Sequence, residues 1–296
     1  MGKDRLLLIG GCGYIGSYLY PRLKTVGFQV TVCDRLTRGN PQSVEVINCD
    51  YSELSDQLLH SMDAVLWFGG HSSVGQSIQD PNGAVSNNCL NLFTFAKKLK
   101  SSTKFIYAST GSLYSTRNDT VNPASENTDA IIPSQNAYDI SKFAFDYLAQ
   151  NFLDNFYALR MGTLSGYSPN LRTELVFNAM NLSAVKTGEV KLKNSEASRT
   201  LLFLPDLWCL IEKILTTNQH YGIFNVGSSS FKIGDLAHAI AANWGAQVTY
   251  EGQSESYSFL LDTTRMKAIC GSALKTQPFA DYCSEFVEEC KLAKVI

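Results

Sequence analysis

The sequence predicts an α/β protein: a doubly wound parallel sheet with a smaller C-terminal α/β lobe. Three observations carry this. From residue 5 to about 160, short apolar runs alternate with amphipathic stretches long enough for helices, which is the rhythm of βαβ units. The apolar runs are continuous, as strands buried on both faces are. The first of them ends in a cluster of glycines, where a strand turns sharply into a helix.

Element by element, the first strand is read at 5–10 and its helix at 13–26. Strands follow at 28–34, 44–48, 63–68, 104–109 and 156–160, with helices at 82–100 and 136–151 between them. Past 160 the rhythm loosens, and helices are expected at 172–186, 204–217, 233–243 and near the C-terminus. Residues 1–165 are expected to form the sheet domain, rejoined by a segment at about 200–230, and 166–296 to form mainly the second lobe. The longest stretch without periodicity is 115–135, a length at which loops often carry function.

With 296 residues, 45% hydrophobic and 18% charged, the chain has ample apolar material for one large core. A net charge of −2 offers no basic field for nucleic acid or an anionic membrane, so neither is an expected partner. The run Leu6-Leu7-Leu8-Ile9 is too short for a signal-peptide core or a membrane span, and a cytoplasmic protein is expected. Eight scattered cysteines include no Cys-x-x-Cys and no nearby histidine pair; no metal site is expected, and free thiols in a reducing compartment are.

The glycine cluster reads Gly10-Gly11-Cys12-Gly13-Tyr14-Ile15-Gly16. Glycines at this spacing let a phosphate approach the backbone, and the helix beginning there offers free N–H groups and the positive end of its dipole. A Rossmann-type dinucleotide site is therefore expected. The second strand ends at Asp34, twenty-one residues beyond Gly13, where a carboxylate accepts both ribose hydroxyls of NAD and repels the 2′-phosphate of NADP. Arg35 and Arg38 leave attraction to a phosphate open. Asp50 suits the adenine amino group or an exposed turn equally well.

Tyr138 and Lys142 lie four apart on an expected helix, so they project from one face. A neighbouring ammonium together with the positive nicotinamide ring is expected to lower the phenol from its usual ~10 and make it a general acid/base. Tyr20 and Lys24 repeat the spacing, so context decides. Only the later pair follows a strand ending Tyr107-Ala108-Ser109-Thr110, whose hydroxyls belong at the carboxyl edge of the sheet.

Taken in order, the glycine cluster, Phe68-Gly69-Gly70-His71-Ser72-Ser73-Val74, Asn87-Asn88, Ser109-Thr110 with Leu113-Tyr114, and Tyr138-Asp139-Ile140-Ser141-Lys142 resemble the extended short-chain dehydrogenases/reductases. Nucleotide-sugar enzymes of the UDP-galactose 4-epimerase type are the most similar, and the resemblance covers most of the chain. It implies NAD as cofactor, with Thr110 bonding the reacting sugar oxygen, Tyr138 as proton shuttle and Lys142 holding the nicotinamide ribose. On the cofactor side it adds Tyr14, Ile15, Gly16, Tyr51, Phe68, Gly69, Gly70, Ser72, Asn88, Ser109 and Met161. On the substrate side it points to Ser73, Thr163, Arg172, Asn178 and Arg199, the last gripping a nucleotide diphosphate, while Phe224-Asn225-Val226-Gly227 matches a late strand.

Two departures matter. Where the family's 4,6-dehydratases carry an Asp-Glu pair, this chain has Gly111-Ser112, and Thr163 replaces an asparagine that usually touches substrate. Arg172 fits either the mouth of a substrate cleft or an ordinary helix start. The leading expectation is an NAD-dependent nucleotide-sugar epimerase working through a keto-sugar, with a ketoreductase or dehydrogenase of the same fold as rival. A noncatalytic dinucleotide sensor is the third reading. By the same resemblance, helices around 88–100 and 138–151 imply a homodimer.

Overall fold

The computed structural model describes residues 4–117, 121–126, 131, 135–217, 221–253, 257–274 and 277–296. The first part of the chain runs β1 (Arg5–Ile9), α1 (Tyr14–Val26), β2 (Gln29–Cys33), α2 (Asp56–Leu59), β3 (Ala64–Trp67), α3 (Val74–Gln79), α4 (Pro81–Val85), α5 (Asn91–Ala96), β4 (Lys104–Thr110), α6 (Ala137–Phe152) and β5 (Phe156–Met161). Beyond it come β6 (Thr163–Ser165), α7 (Val176–Thr187), β7 (Glu189–Leu192), β8 (Ser198–Phe203), α8 (Leu204–Thr216), β9 (Gly222–Val226), β10 (Ser229–Lys232), α9 (Ile233–Trp244), β11 (Gln247–Tyr250), α10 (Thr264–Cys270) and α11 (Phe279–Leu292).

Six parallel strands form the main sheet in the order β2-β1-β3-β4-β5-β9. Alternate residues of each strand go to opposite faces. Leu6, Leu8, Leu66, Ile106, Leu159 and Phe224 join the core under α1 and α8, while Leu7, Ile9, Val65, Trp67, Phe105 and Ala158 join the one under α5 and α6. Both faces are covered, which is why the strands read as unbroken apolar runs. The doubly wound α/β fold that the sequence predicts is the one found.

β6, β8 and β10 form a second sheet, and β7 pairs with β11 in a third. Around them α7, α9 and α11 close a separate core containing Phe177, Phe203, Leu236, Ile240 and Phe286. Among the described residues, no helix is long and apolar enough to cross a membrane.

Two expected elements differ. The run at 44–48 is not a strand; it makes one bridge, Cys33 to Ile47, beside the sheet's edge. Its backbone at Val44 is held by the Asn40 side chain, which both donates to and accepts from it, and among the described residues no strand lies outside to continue a ladder. The single helix expected at 82–100 is split by a wide π turn at Ser86–Leu90. That turn buries Asn87 and Asn88 and turns the Asn87 carbonyl to accept the Tyr51 hydroxyl at 2.6 Å. Such bulges often lie beside functional sites.

Candidate active site

The turn between β1 and α1 needs its glycines for steric reasons. Gly10 has φ +75°, and a Cβ there would lie 2.7 Å from the Phe68 carbonyl. At Gly16 a Cβ would run into the Gly10 carbonyl oxygen. Gly13 ends the turn without a side-chain cap, so the first N–H groups of α1 stay open toward the space above β1.

That space is a cleft of about 390 Å³ along the carboxyl edge of the sheet. Gly10, Gly13, Tyr14 and Ile15 form its floor, and Asp34, Arg35, Asp50 and Tyr51 its far end. Phe68, Gly69, Gly70 and Ser72 line the side after β3; Tyr138, Lys142, Met161 and Arg172 line the opposite end. The Asp34 carboxylate is fixed by the N–H groups of Cys12 at 2.9 Å and Leu36 at 2.7 Å. Arg35 faces Asp50 at 3.6 Å, so part of its charge is already matched.

At the Tyr138 end, α6 lies across the C-termini of β4 and β5. Lys142 is buried, donates to the Ala108 carbonyl at 2.7 Å, and has its ammonium 4.5 Å from the centre of the Trp67 ring. One turn on, buried Asp146 accepts from Tyr107 at 3.0 Å, Ser109 at 2.9 Å and Arg160 at 2.8 Å. Arg160 also donates to the Tyr114 hydroxyl, which donates to Asn225 on β9. Thr110 lies next to the Tyr138 phenol, and its hydroxyl is 2.8 Å from that of Ser112.

Residues 6–227 match the model of the NAD dependent epimerase/dehydratase family. The chain belongs to that family. Over 180 residues it is 30% identical to the UDP-glucose 4-epimerase of Halalkalibacterium halodurans, covering 56% of this chain and 53% of that protein. Over 135 residues it is 33% identical to probable UDP-arabinose 4-epimerase 3 of Arabidopsis thaliana, covering 38% and 32%. The chain thus spans about half, or less, of the curated relatives it matches. Two solved structures share its fold: an NAD dependent NDP-hexosamine 5,6-dehydratase of tunicamycin biosynthesis, with TM-score 0.84, 19% identity and 98% of each chain covered, and the Thermotoga maritima UDP-glucose 4-epimerase with UDP-glucose, with TM-score 0.82, 19% identity and 98% and 99% covered.

In this epimerase/dehydratase cleft the protein's own groups push the Tyr138 phenol up to about 12, and the share of the lowering expected from Lys142 is not found. Burial is the main cause; Asp139 and the Tyr257 phenol add to it, and the neighbouring Thr110 hydroxyl and Arg172 pull the other way. Lys142 does not offset this, because its ammonium is 6.0 Å from the phenol ring and turned toward Ala108 and Trp67. Burial lowers Lys142 itself to about 7, against the field of Asp146.

Other residues singled out from the sequence lie behind or beside the cleft wall. Gly16 supports the turn, and Asn88 braces α6 by donating to the His71 carbonyl and the Ser141 hydroxyl. Ser109 is tied to Asp146, Ser73 caps α3 at Gln76, and Thr163 begins β6. Asn178 is buried, accepting from Gly166 N–H and donating to the Tyr14 hydroxyl and the Arg172 carbonyl. Arg199 stacks on Tyr257, 4.2 Å from its ring centre. Sequence reasoning gave no role to Asp139 and Ser112, which are buried together beneath Thr110, nor to Gln76, which lines the cleft. The Asn136-x-x-Asp139 cap spacing was the available signal that this helix start is anchored.

Proposed function

We propose that the protein is an NAD-dependent nucleotide-sugar epimerase acting on a UDP-hexose at C4. The observation that carries the reading is that one continuous cleft joins the open N-terminus of α1 to the Tyr138 phenol with its Thr110 partner. Three features of the cleft fit the dinucleotide. A side chain at Gly10 or Gly16 would collide with backbone, which keeps the phosphate cradle bare. The uncapped α1 N–H groups suit a pyrophosphate, and the anchored Asp34 carboxylate suits a ribose diol and opposes a 2′-phosphate. The relatives named as UDP-glucose 4-epimerases support the sugar class and the carbon.

When bound, NAD would accept a hydride from the sugar carbon and return it to the other face. Tyr138 exchanges the hydroxyl proton, and Thr110 bonds the reacting sugar oxygen. Lys142, set by Ala108 and Trp67 beside Tyr138, holds the nicotinamide ribose. Asn88 keeps α6 against the sheet, and Ser109 keeps the end of β4 fixed to Asp146. Arg172, Arg199, Ser73 and Thr163 are the proposed substrate side, with residues 166–296 supplying most of it, while Asn178, expected from the sequence to join them, is fully buried and holds the Arg172 carbonyl from behind. Dehydration lacks its usual acid/base pair at Gly111-Ser112.

A homodimer belongs to the same reading, supported by Leu90, Ile140 and Tyr147, which remain exposed along the helices assigned to that contact. So does the cytoplasm, where the eight free thiols are stable. The test incubates the purified protein with NAD and UDP-glucose and separates the products. The reading expects UDP-galactose without lasting NADH absorbance. Steady accumulation of NADH would establish a dehydrogenase instead, and a product lighter by one water a dehydratase.

A further inference from the structure

At the far end of the cleft, away from Tyr138, two thiols face each other. Cys33 closes β2, Cys49 lies just before the short turn Tyr51–Glu53, and both line the cleft. Their sulfurs are 4.0 Å apart, and Cys33 Sγ also donates to the Cys49 carbonyl at 3.7 Å. The backbone enforces this approach. The Ile47 N–H donates to the Val32 carbonyl at 2.9 Å, and the Ile47 carbonyl accepts from the Asp34 N–H at 3.2 Å, so the chain leading to Cys49 is fastened to β2 on either side of Cys33. The Cys49 N–H then turns back to the Ile47 carbonyl at 3.1 Å.

The two sulfurs differ in access. Cys33 is 1% exposed, whereas Cys49 is the one cysteine of the eight that is not fully buried. Burial, helped by the Cys49 sulfur and the carboxylates of Asp34 and Asp50, pushes the Cys33 thiol well above the ordinary thiol range, so Cys33 keeps its proton. Each cysteine is followed directly by a carboxylate of the cleft wall, Asp34 after Cys33 and Asp50 after Cys49. Whatever moves either thiol therefore moves the wall.

Resting on the dinucleotide reading of this cleft, we propose that Cys33 and Cys49 form a reversible disulfide that weakens NAD binding, with a hydroperoxide as the oxidant. The Cys49 thiolate attacks the peroxide: an S–O bond forms, the O–O bond breaks, and the leaving oxygen takes up the proton that Cys49 gave to solvent. Cys49 is then a sulfenic acid. Cys33 Sγ attacks that sulfur, the S–S bond forms, the S–O bond breaks, and the departing hydroxide leaves as water with the Cys33 proton. Two electrons pass from the thiols to the peroxide, and a dithiol reductant returns them. In a reducing compartment the thiol form is the resting one.

A disulfide bond is about 2 Å long, so closing it brings the sulfurs about 2 Å nearer to each other. Cys33 is held inside the sheet by its pairing with β1, and its carbonyl accepts the Gly10 N–H at 2.9 Å. Cys49 therefore does the moving and draws Asp50 and Tyr51 toward β2. Those two residues leave the positions set for them by Ser52, Arg35 and the Asn87 carbonyl. The coupling runs both ways: NAD that binds the thiol form better holds the pair reduced by the same factor.

The test treats the full chain, dialysed free of nucleotide, with hydrogen peroxide. Mass spectrometry of a nonreducing digest locates the disulfide, and calorimetry measures NAD affinity before and after dithiothreitol. A peptide pair joined at Cys33 and Cys49 is expected. NAD affinity should be about tenfold lower than in the reduced protein, the loss of about one hydrogen bond, and dithiothreitol should restore it. Cys33→Ser and Cys49→Ser, each compared with itself before and after peroxide, should show no such change, which assigns the effect to this pair and not to Cys12 in the glycine turn. In a glutathione redox buffer, saturating NAD should shift half-oxidation about tenfold toward more oxidised glutathione. Absence of the Cys33–Cys49 cross-link, or a cross-link that leaves NAD affinity unchanged, would overturn the switch alone. A reduced protein that does not bind NAD would overturn the cofactor reading and the switch with it.

Discussion

The two ends of the cleft are built from different material. At the end beside α1 the wall is mostly backbone: a bare glycine turn, the first N–H groups of α1 and a carboxylate pinned by two main-chain amides. At the Tyr138 end it is a side-chain network drawn from β4, α6, β5 and β9, in which Asp146 alone accepts from three residues. Backbone walls bind groups common to many ligands, because every residue supplies the same amide. Side-chain networks set proton positions, so they decide chemistry. Changes at the first end should therefore appear in cofactor affinity, and changes at the second in kcat.

The largest expected effect breaks the Tyr138 end alone. Tyr138→Phe should lower turnover by about 1,000-fold or more while calorimetry finds NAD affinity nearly unchanged. Next comes Asp146→Ala. It strands the guanidinium of Arg160, only 4% exposed, and the loss of a buried partner costs about 3–5 kcal/mol, to be read as a lower denaturant midpoint. Gly16→Ala tests the other end: the new methyl meets the Gly10 carbonyl, overpacking of this kind costs about 1–3 kcal/mol, and NAD binding should fall with it.

A smaller effect separates the cofactors. Asp34→Ser removes the carboxylate that opposes a 2′-phosphate, and NAD should weaken by about tenfold relative to NADP, a difference of about 1.4 kcal/mol. The smallest is a pH effect. Lys142 binds its proton with a value of about 7 when folded and ~10.4 when unfolded, so the unfolded chain holds more protons between those values. Its contribution to stability is therefore least favourable below pH 7 and improves as pH rises. Lys142→Met should melt higher than the parent by a few degrees near pH 7, and the gap should close toward pH 9.

The same contrast explains what the sequence made legible. Gly10, Gly13, Gly16 and Asp34 could be read because a strand, a tight turn and a helix lie within one short stretch, and each residue's task follows from its place in that stretch. The paired Tyr138 and Lys142 were legible as neighbours on a helix face, but the protein's own effect on the phenol was not. That effect depends on how deeply α6 is buried and on where the Lys142 ammonium turns, neither of which spacing records. Asp139 stayed hidden for a related reason: its partner Ser112 comes from a turn after β4, and only the packed fold brings the two together. The apolar run at 44–48 misled because a strand also needs a neighbour along its length, and the sheet ends there.

The central claim is that both ends of the cleft act on one sugar, with hydride leaving and returning to the same carbon. Its most direct test is turnover of UDP-glucose with NAD in deuterated water, followed by proton NMR of the product. The account predicts UDP-galactose with ordinary hydrogen still at C4, since only hydroxyl protons exchange with solvent. Deuterium at C4 would contradict it.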